Sequence, residues 1–236
     1  MTPDTSVSAG AYPGTPQASL RTVAAFDFDG TITTTDSLQA FLKQTVGWAH
    51  YAAGILTSLP WLAACGLRLI GRGPAKARLL RATVGGWPRA ALVEAAQRFV
   101  AEGLPALVRP EMLARIDRHR ALGHRLVLVS ASPSLYLEIW ARSAGFDAVL
   151  ATELAYADND SGLNGSDVRH FNGRLASPNC WGPEKVRRLR AWWGAHAPEV
   201  LYVYGDSRGD REMAALTPYA WIRGQGEMPA LPELPG

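Results

Sequence analysis

The strongest constraint in this chain is Phe26-Asp27-Phe28-Asp29-Gly30-Thr31, which directly follows the apolar run Val23-Ala24-Ala25. In an extended segment, residues i and i+2 point to the same side, so Asp27 and Asp29 share a face. Gly30 then lets the chain turn, and Thr31 offers a hydroxyl at that turn. Open α/β sheets bind ligands and do chemistry at the carboxyl ends of their strands. A short buried strand ending in two carboxylates therefore reads as a reaction centre. Asp-x-Asp-Gly also opens calcium loops, but those continue with oxygen ligands at alternate positions and close on a Glu. Here Ile32, Thr33 and Thr35 follow, and no Glu occurs before Glu94.

The rest of the chain supports a parallel α/β core. Val23–Phe28 reads as one strand, and Arg125–Val129 as a second that is apolar enough to be buried on both faces. A helix over Ser134–Ala144 follows, with Pro133 ahead of it and Gly145 at its end. Ala148–Ala151 reads as a short strand. Residues 152–175 are polar, with turn signals at Asp160-Ser161-Gly162 and Asn172-Gly173, and read as a hairpin-like excursion. Pro183–Trp193 is helical, Leu201–Tyr204 a strand, and Arg208–Leu216 a helix. This alternation means a Rossmann-like parallel sheet with helices on both faces.

Residues 36–105 break the alternation and read as a helical cap inserted after the first strand. The core then comprises 21–35 and 106–223. Residues 1–20, rich in Ser, Thr, Pro, Gly and Ala, read as a disordered tail without a secretory signal. Residues 224–236, broken by Gly224, Gly226, Pro229 and Pro232, read as a second loose tail. Cys65 and Cys180 show no pairing or metal spacing, which points to a reducing, cytoplasmic setting. The five histidines are scattered and suggest neither a zinc site nor a His-activated nucleophile.

Charge is uneven along the chain. Residues 37–93 contain no Asp or Glu but carry Lys43, Arg68, Arg72, Lys76, Arg78, Arg81 and Arg89. That segment is +7 within a chain of net charge +3, so the remainder is −4 (3 minus 7). A basic cap over an acidic core implies an anionic substrate or surface. No basic stripe interleaved with aromatics is present, so nucleic acid is not the expected partner. Within the cap, Tyr51–Leu67 is uncharged and contains Gly54 and Pro60. It falls short of a membrane span and reads as a buried helix pair. The competing reading is an interfacial element resting peripherally on anionic lipid at the inner membrane face.

A second carboxylate cluster closes the last core strand: Gly205-Asp206-Ser207-Arg208-Gly209-Asp210. In a parallel sheet the strand ends share one edge, which brings Asp206 and Asp210 toward Asp27 and Asp29. Four converging carboxylates raise one another's pKa unless a cation sits among them. Oxygen donors without His or Cys select a hard ion, Mg²⁺. For Asp210 the plainer role is a charge at a helix N-terminus. Ser130 follows the second strand and is either a phosphate-binding hydroxyl or a simple helix cap. Lys185 stands out because the chain has only three lysines, Lys43, Lys76 and Lys185, against 21 arginines. A lysine where arginine is the habitual cation suggests a need for a compact point charge.

Asp27-Phe28-Asp29-Gly30-Thr31, Ser130, Lys185 and Gly205-Asp206-x₃-Asp210 together resemble the four ordered motifs of the haloacid dehalogenase (HAD) superfamily of phosphatases. Ser130-Ala131-Ser132-Pro133 and Asn179-Cys180-Trp181-Gly182-Pro183-Glu184-Lys185 resemble its phosphoserine-phosphatase-like subgroup, which carries a helical cap at this position. The resemblance implies Asp27 as nucleophile, forming an aspartyl-phosphate. It implies Asp29 as general acid and base. Mg²⁺ would be held by Asp27, the Asp29 backbone carbonyl and Asp206, with Asp210 in support. Ser130 and Lys185 would bind the phosphoryl oxygens. Asp29 also separates the chain from the dehalogenase branch, which has no acid/base carboxylate there.

Substrate is less determined. By the same resemblance, phosphoserine phosphatases use a Glu where the cap begins to hold the substrate ammonium, and here the shorter Asp36 stands at that place. With seven cations and no anion over 37–93, the cap matches a zwitterionic amino acid poorly. The run Asp36-Ser37-Leu38-Gln39-Ala40-Phe41-Leu42, the apolar Tyr51–Leu67 and the basic stretch after it resemble phosphatidylglycerophosphatase C. Asp36, Arg78 and Arg81 are the candidate cap residues facing substrate. A small soluble phosphomonoester and a phospholipid phosphate both stay open. So do a phosphomutase or phosphotransferase and, in another class, a catalytically silent phospho-binding module, against which Asp29 argues because storage of a phosphoryl group needs no acid/base.

Overall fold

The computed structural model describes residues 21–158 and 169–233. The expected tail 1–20 and the turn at Asp160-Ser161-Gly162 lie outside them. Five parallel strands form the central sheet: β1 (Thr22–Phe26), β2 (Arg125–Pro133), β3 (Ala148–Thr152), β6 (Val200–Gly205) and β7 (Ala220–Ile222), in the order β3-β2-β1-β6-β7. Beyond β3, β4 (Leu154–Asp158) and β5 (Arg169–Leu175) form a separate antiparallel pair. Asn172-Gly173 falls inside β5, so it is not the turn of that pair.

Side chains of β1 alternate between two apolar layers, as a strand covered on both faces requires. Ala24 and Phe26 join Leu126, Leu128, Tyr202 and Tyr204 on one side. That layer is covered by α4 (Pro110–Ala121) through Met112 and Ile116 and by α5 (Ser134–Ser143) through Leu137 and Trp140. Val23 and Ala25 join Val127, Val129, Leu201 and Val203 on the other. There α6 (Pro183–Trp193) contributes Leu189 and the short α7 (Arg211–Ala214) contributes Met213. β1 ends two residues earlier than its apolar run suggested, because Asp27 and Phe28 already leave the ladder.

The cap consists of α1 (Ser37–Gly66), α2 (Arg72–Val84) and α3 (Arg89–Arg98), followed by a wide turn and a tight one through residue 106. The kink in α1 lies at Gly47, where φ is 77° and ψ 162°. α1 and α2 run antiparallel: Gly54 meets Thr83, and Trp61 lies under Arg78. The expected buried helix pair over Tyr51–Leu67 is therefore corrected. The segment is part of one helix, with Tyr51, Gly54 and Ser58 buried and Leu56, Leu59 and Trp61 exposed. The expected loose tail is also corrected for 224–233. Met228 and Leu231 pack on the core. Arg115 donates to the carbonyl of Pro229, and Arg118 donates to that of Pro232 at 2.7 Å. Gly and Pro there mark an irregular backbone rather than a lack of contacts.

Beneath the sheet, His119 of α4 is buried edge-on to Phe26. Its Nε2 lies 2.8 Å from the Tyr204 hydroxyl and its Nδ1 2.8 Å from Nδ1 of His124. Burial, then the neighbouring His124 and Arg115, hold its pKa down to about 3, against an ordinary 6.5. The unfolded chain therefore takes up this proton first. The stabilisation is complete above about pH 6.5 and is lost as pH falls toward 3, at up to about 1.4 kcal/mol per pH unit. Thermal midpoints measured across that window should fall more steeply for the wild-type chain than for His119→Gln; equal slopes would refute the role of His119.

Candidate active site

The register of the sheet assembles the site. Phe26 pairs with Leu128 on one side and Tyr204 on the other, so β1 and β6 end nearly level. β2 runs on to Pro133, and Ser130, expected just past that strand, lies inside it and pairs with Ala151. The Asp27 N–H donates to the Tyr204 carbonyl at 2.9 Å, which fixes the first residue past β1. Its carboxylate accepts from the Thr31 hydroxyl at 3.0 Å and from Lys185 Nζ at 2.5 Å. Lys185 leaves the first turn of α6, is 2 % exposed, and also donates to Asp210 Oδ1 at 2.6 Å. Burial pushes the Asp27 carboxyl well above its ordinary range, Lys185 pulls it back, and Asp210 adds to the rise.

Asp206, half-buried just past β6, completes the acidic cluster. A Cβ on Gly30 would lie 2.1 Å from Asp206 Oδ2, so this glycine, at φ 77°, makes room for the carboxylate. Asp210 Oδ2 accepts from the N–H groups of Asp206 (3.2 Å) and Ser207 (3.1 Å) and from the Ser207 hydroxyl, closing a capping box. Its place at a helix terminus and its place in the acidic cluster thus coexist. Asp27, Asp206 and Asp210 bring carboxylate oxygens within 4.8 Å of one another. Burial and then Asp210 also raise the Asp206 pKa. Crowded oxygen donors of like charge, with no sulfur or nitrogen among them, fit a hard dication such as Mg²⁺.

Asp29 stands apart from this cluster. Its Oδ1 accepts from the Ser37 N–H at 2.7 Å and its Oδ2 from the Ser132 hydroxyl at 2.5 Å. Its pKa is raised, chiefly by burial and then by Asp36, while the serine bonds oppose the rise. The two carboxylates of the motif therefore have separate surroundings: Asp27 is paired with a cation, Asp29 is held by hydroxyl and amide donors. Ser130 is fully buried, and its Oγ accepts from the Ser132 N–H at 3.0 Å. The cap of α5 is Pro133, so the simple helix-cap reading of Ser130 is corrected.

Two site residues escaped the sequence reading. Ser132 fixes Asp29, and its only outward sign was its place in the Ser-Ala-Ser-Pro stretch. Lys76 of α2 reaches from the cap onto the core, donating to the Ala131 carbonyl and to Asn179 Oδ1 at 2.9 Å. Burial lowers its pKa, while Asp29 and Asp36 raise it, which places the ammonium in the field of the site. The scarcity of lysine that singles out Lys185 applies equally to Lys76. The other cap candidates have different partners. Asp36 caps α1 by accepting from the Gln39 N–H at 2.9 Å. Arg78 stacks on Trp61 at 4.5 Å, and Arg81 packs against Gly173 of β5.

Comparison with known proteins agrees with this geometry. Residues 24–215 match the family described as haloacid dehalogenase-like hydrolase. Protein CicA of Caulobacter vibrioides (strain NA1000 / CB15N) is 36 % identical over 194 residues, 82 % of each chain. A Bordetella pertussis Tohama I protein of unknown function superposes with a TM-score of 0.68 at 20 % identity, over 85 % of this chain and 88 % of that one. A phospho-aspartyl intermediate analogue of phosphoserine phosphatase superposes with a TM-score of 0.54 at 13 % identity, over 85 % of each chain.

The glycine at the turn gives a direct test of the carboxylate cluster. Gly30→Ala is expected to lower turnover at least about tenfold by displacing Asp206. Gly224→Ala, also at positive φ (79°) but with nothing within 4 Å, should cost only about 1 kcal/mol of backbone strain and leave turnover intact. Paired melts and rate measurements check this, and unchanged turnover in Gly30→Ala would refute the packing.

Proposed function

Because the chain belongs to the haloacid dehalogenase-like hydrolase family, we propose that it is a Mg²⁺-dependent phosphomonoesterase acting through an aspartyl-phosphate on Asp27. The observation that carries this reading is the division of labour between the two carboxylates. Asp27 lies against Lys185, whereas Asp29 is buried on Ser37 and Ser132 with a raised pKa.

In the first step an Asp27 oxygen attacks phosphorus. The new Asp27 O–P bond forms as the ester P–O bond breaks, and Asp29 delivers its proton to the departing alkoxide. In the second step Asp29 takes a proton from water as that water attacks phosphorus, releasing inorganic phosphate and restoring Asp27. Lys185 and the Ser130 hydroxyl are the groups available to hold the phosphoryl oxygens through both steps. Thr31 and Lys185 orient the nucleophile. Asp27 and Asp206, with Asp210 in support, would hold Mg²⁺, which when bound offsets the repulsion between the Asp27 carboxylate and the phosphoryl group.

The substrate reading follows from the cap. Lys76 is the cap cation that reaches the site, and residues 37–93 supply no carboxylate to hold an ammonium. Asp36 is already committed to the N-terminus of α1. A phosphomonoester with a neutral or anionic alcohol fits better than phosphoserine.

Phosphate release in Mg²⁺, abolished by a chelator, is the basic assay. Asp27→Asn should lower it by at least about 10³-fold, with a melt that stays cooperative but shifts down because Lys185 loses a charged partner. Asp29→Asn should lower kcat/KM far more for alkyl phosphates than for p-nitrophenyl phosphate, whose leaving group needs no proton, while the shared water-attack step slows for both. Because Asp29 must start protonated, kcat/KM for an alkyl ester should fall as pH rises through its raised pKa, and this limb should vanish in Asp29→Asn. An equal loss of kcat/KM for both ester classes would refute the acid assignment.

A further inference from the structure

Between Lys43 and Arg68 the chain carries no Asp, Glu, Lys or Arg. Most of that stretch is α1, and only one side of the helix is covered among the described residues. Tyr51, Gly54 and Ser58 are buried, with Gly54 against Thr83 of α2. The uncovered side presents Trp48, Leu56 and Leu59 to solvent, at 69 %, 66 % and 49 % exposure. On an α-helix these three positions fall within an arc of about 80°, next to Ile55, which turns back onto the core. The stripe therefore faces one way. It continues into the turn before α2, where Leu67 and Leu69 are 72 % and 74 % exposed on either side of Arg68.

Side chains of this size, on a helix face without a single charge, are what a non-aqueous partner would cover. Cations bracket the stripe. Lys43 lies 5.3 Å from the Trp48 ring at one end, and Arg68 and Arg72 stand at the other. No acidic residue occurs anywhere in 37–93, so a second copy of the chain seated here by the same face would bring like charges together. An anionic surface would not. Among the described residues no helix is long and apolar enough to cross a membrane, which leaves an interfacial arrangement.

The stripe also leads to the site. Arg72 stacks on Trp181 at 4.9 Å, and Trp181 packs over Gly209 in the loop that carries Asp206 and Asp210. One turn further, Lys76 holds Ala131 and Asn179. We propose that the exposed face of α1 and the turn 67–71 rest on an anionic lipid bilayer, with Trp48, Leu56, Leu59, Leu67 and Leu69 at the acyl boundary and Lys43, Arg68 and Arg72 among the headgroups. The catalytic edge then works beside the membrane surface.

The test is sedimentation of the full chain with vesicles of phosphatidylcholine alone and of phosphatidylcholine with phosphatidylglycerol, at low and high salt. Binding to the anionic vesicles should be stronger by about tenfold or more and weaken with salt. The triple variant Leu56→Ser, Leu59→Ser, Leu69→Ser should lose binding, while its turnover of p-nitrophenyl phosphate stays within about twofold of wild type, as surface substitutions allow. Asp27→Asn should bind vesicles like wild type, which keeps this outcome separate from the fate of the phosphatase reading. Absent binding to anionic vesicles, or undiminished binding by the triple variant, overturns the proposal. So does a dimer in sedimentation velocity that these same substitutions dissociate, since the face would then belong to a second copy.

Discussion

Everything at the catalytic edge depends on one buried ammonium. Lys185 sits between Asp27 and Asp210, and all three side chains are shielded from water. Burial alone would strip the charge from each. Burial pulls the Lys185 pKa down, and Asp27 and then Asp210 more than reverse this, so the cation persists. Removing one member of such a buried set costs about 3–5 kcal/mol, because the others are left uncompensated. A lysine suits the place better than an arginine: a compact ammonium can donate to two carboxylates in different planes, whereas a planar fork favours one bidentate partner.

The sheet makes that contact possible. Parallel pairing of β1 with β2 and β6 puts Asp27, Ser130 and Asp206 at one edge, and α6 returns Lys185 to the same edge. Two glycines permit the crowding. Gly30 leaves space for Asp206, and a Cβ on Gly205 would lie 2.5 Å from the Asp210 Cβ. Asp29, the proposed acid and base, is positioned by a different part of the chain. Ser37, the first residue of α1, donates its N–H to Asp29, so the start of the cap and the placement of the Asp29 carboxylate are one structural unit.

The core was largely legible in the sequence. The apolar runs before Asp27 and Asp206 each end in a polar residue at a strand terminus, and βα alternation allows little but a parallel sheet. The run before Ser130 misplaced its strand end, because β2 continues through Ser130 to Pro133. What stayed hidden came from two causes. Ser132 and Lys76 act through contacts more than 50 positions apart in the chain, Ser132 with Asp29 and Lys76 with Ala131, which no local pattern encodes. The uncharged segment Tyr51–Leu67 was ambiguous because absence of charge signals burial whatever covers it. Helical periodicity shows which positions share a face, but only α2 shows which face is filled. The C-terminal segment misled for the opposite reason: its Pro and Gly residues are incompatible with regular structure, yet Arg115 and Arg118 still bind its carbonyls.

The central claim is that Asp27 becomes covalently attached to phosphorus. Borohydride reduction of chain quenched during turnover, followed by mass spectrometry of the peptide spanning Asp27, tests it directly, since an acyl phosphate is reduced to the alcohol whereas a free carboxylate is not. The account predicts homoserine at position 27, dependent on substrate and on Mg²⁺. Steady turnover with Asp27 unmodified, or reduction at Asp29 or Asp206 instead, would contradict it.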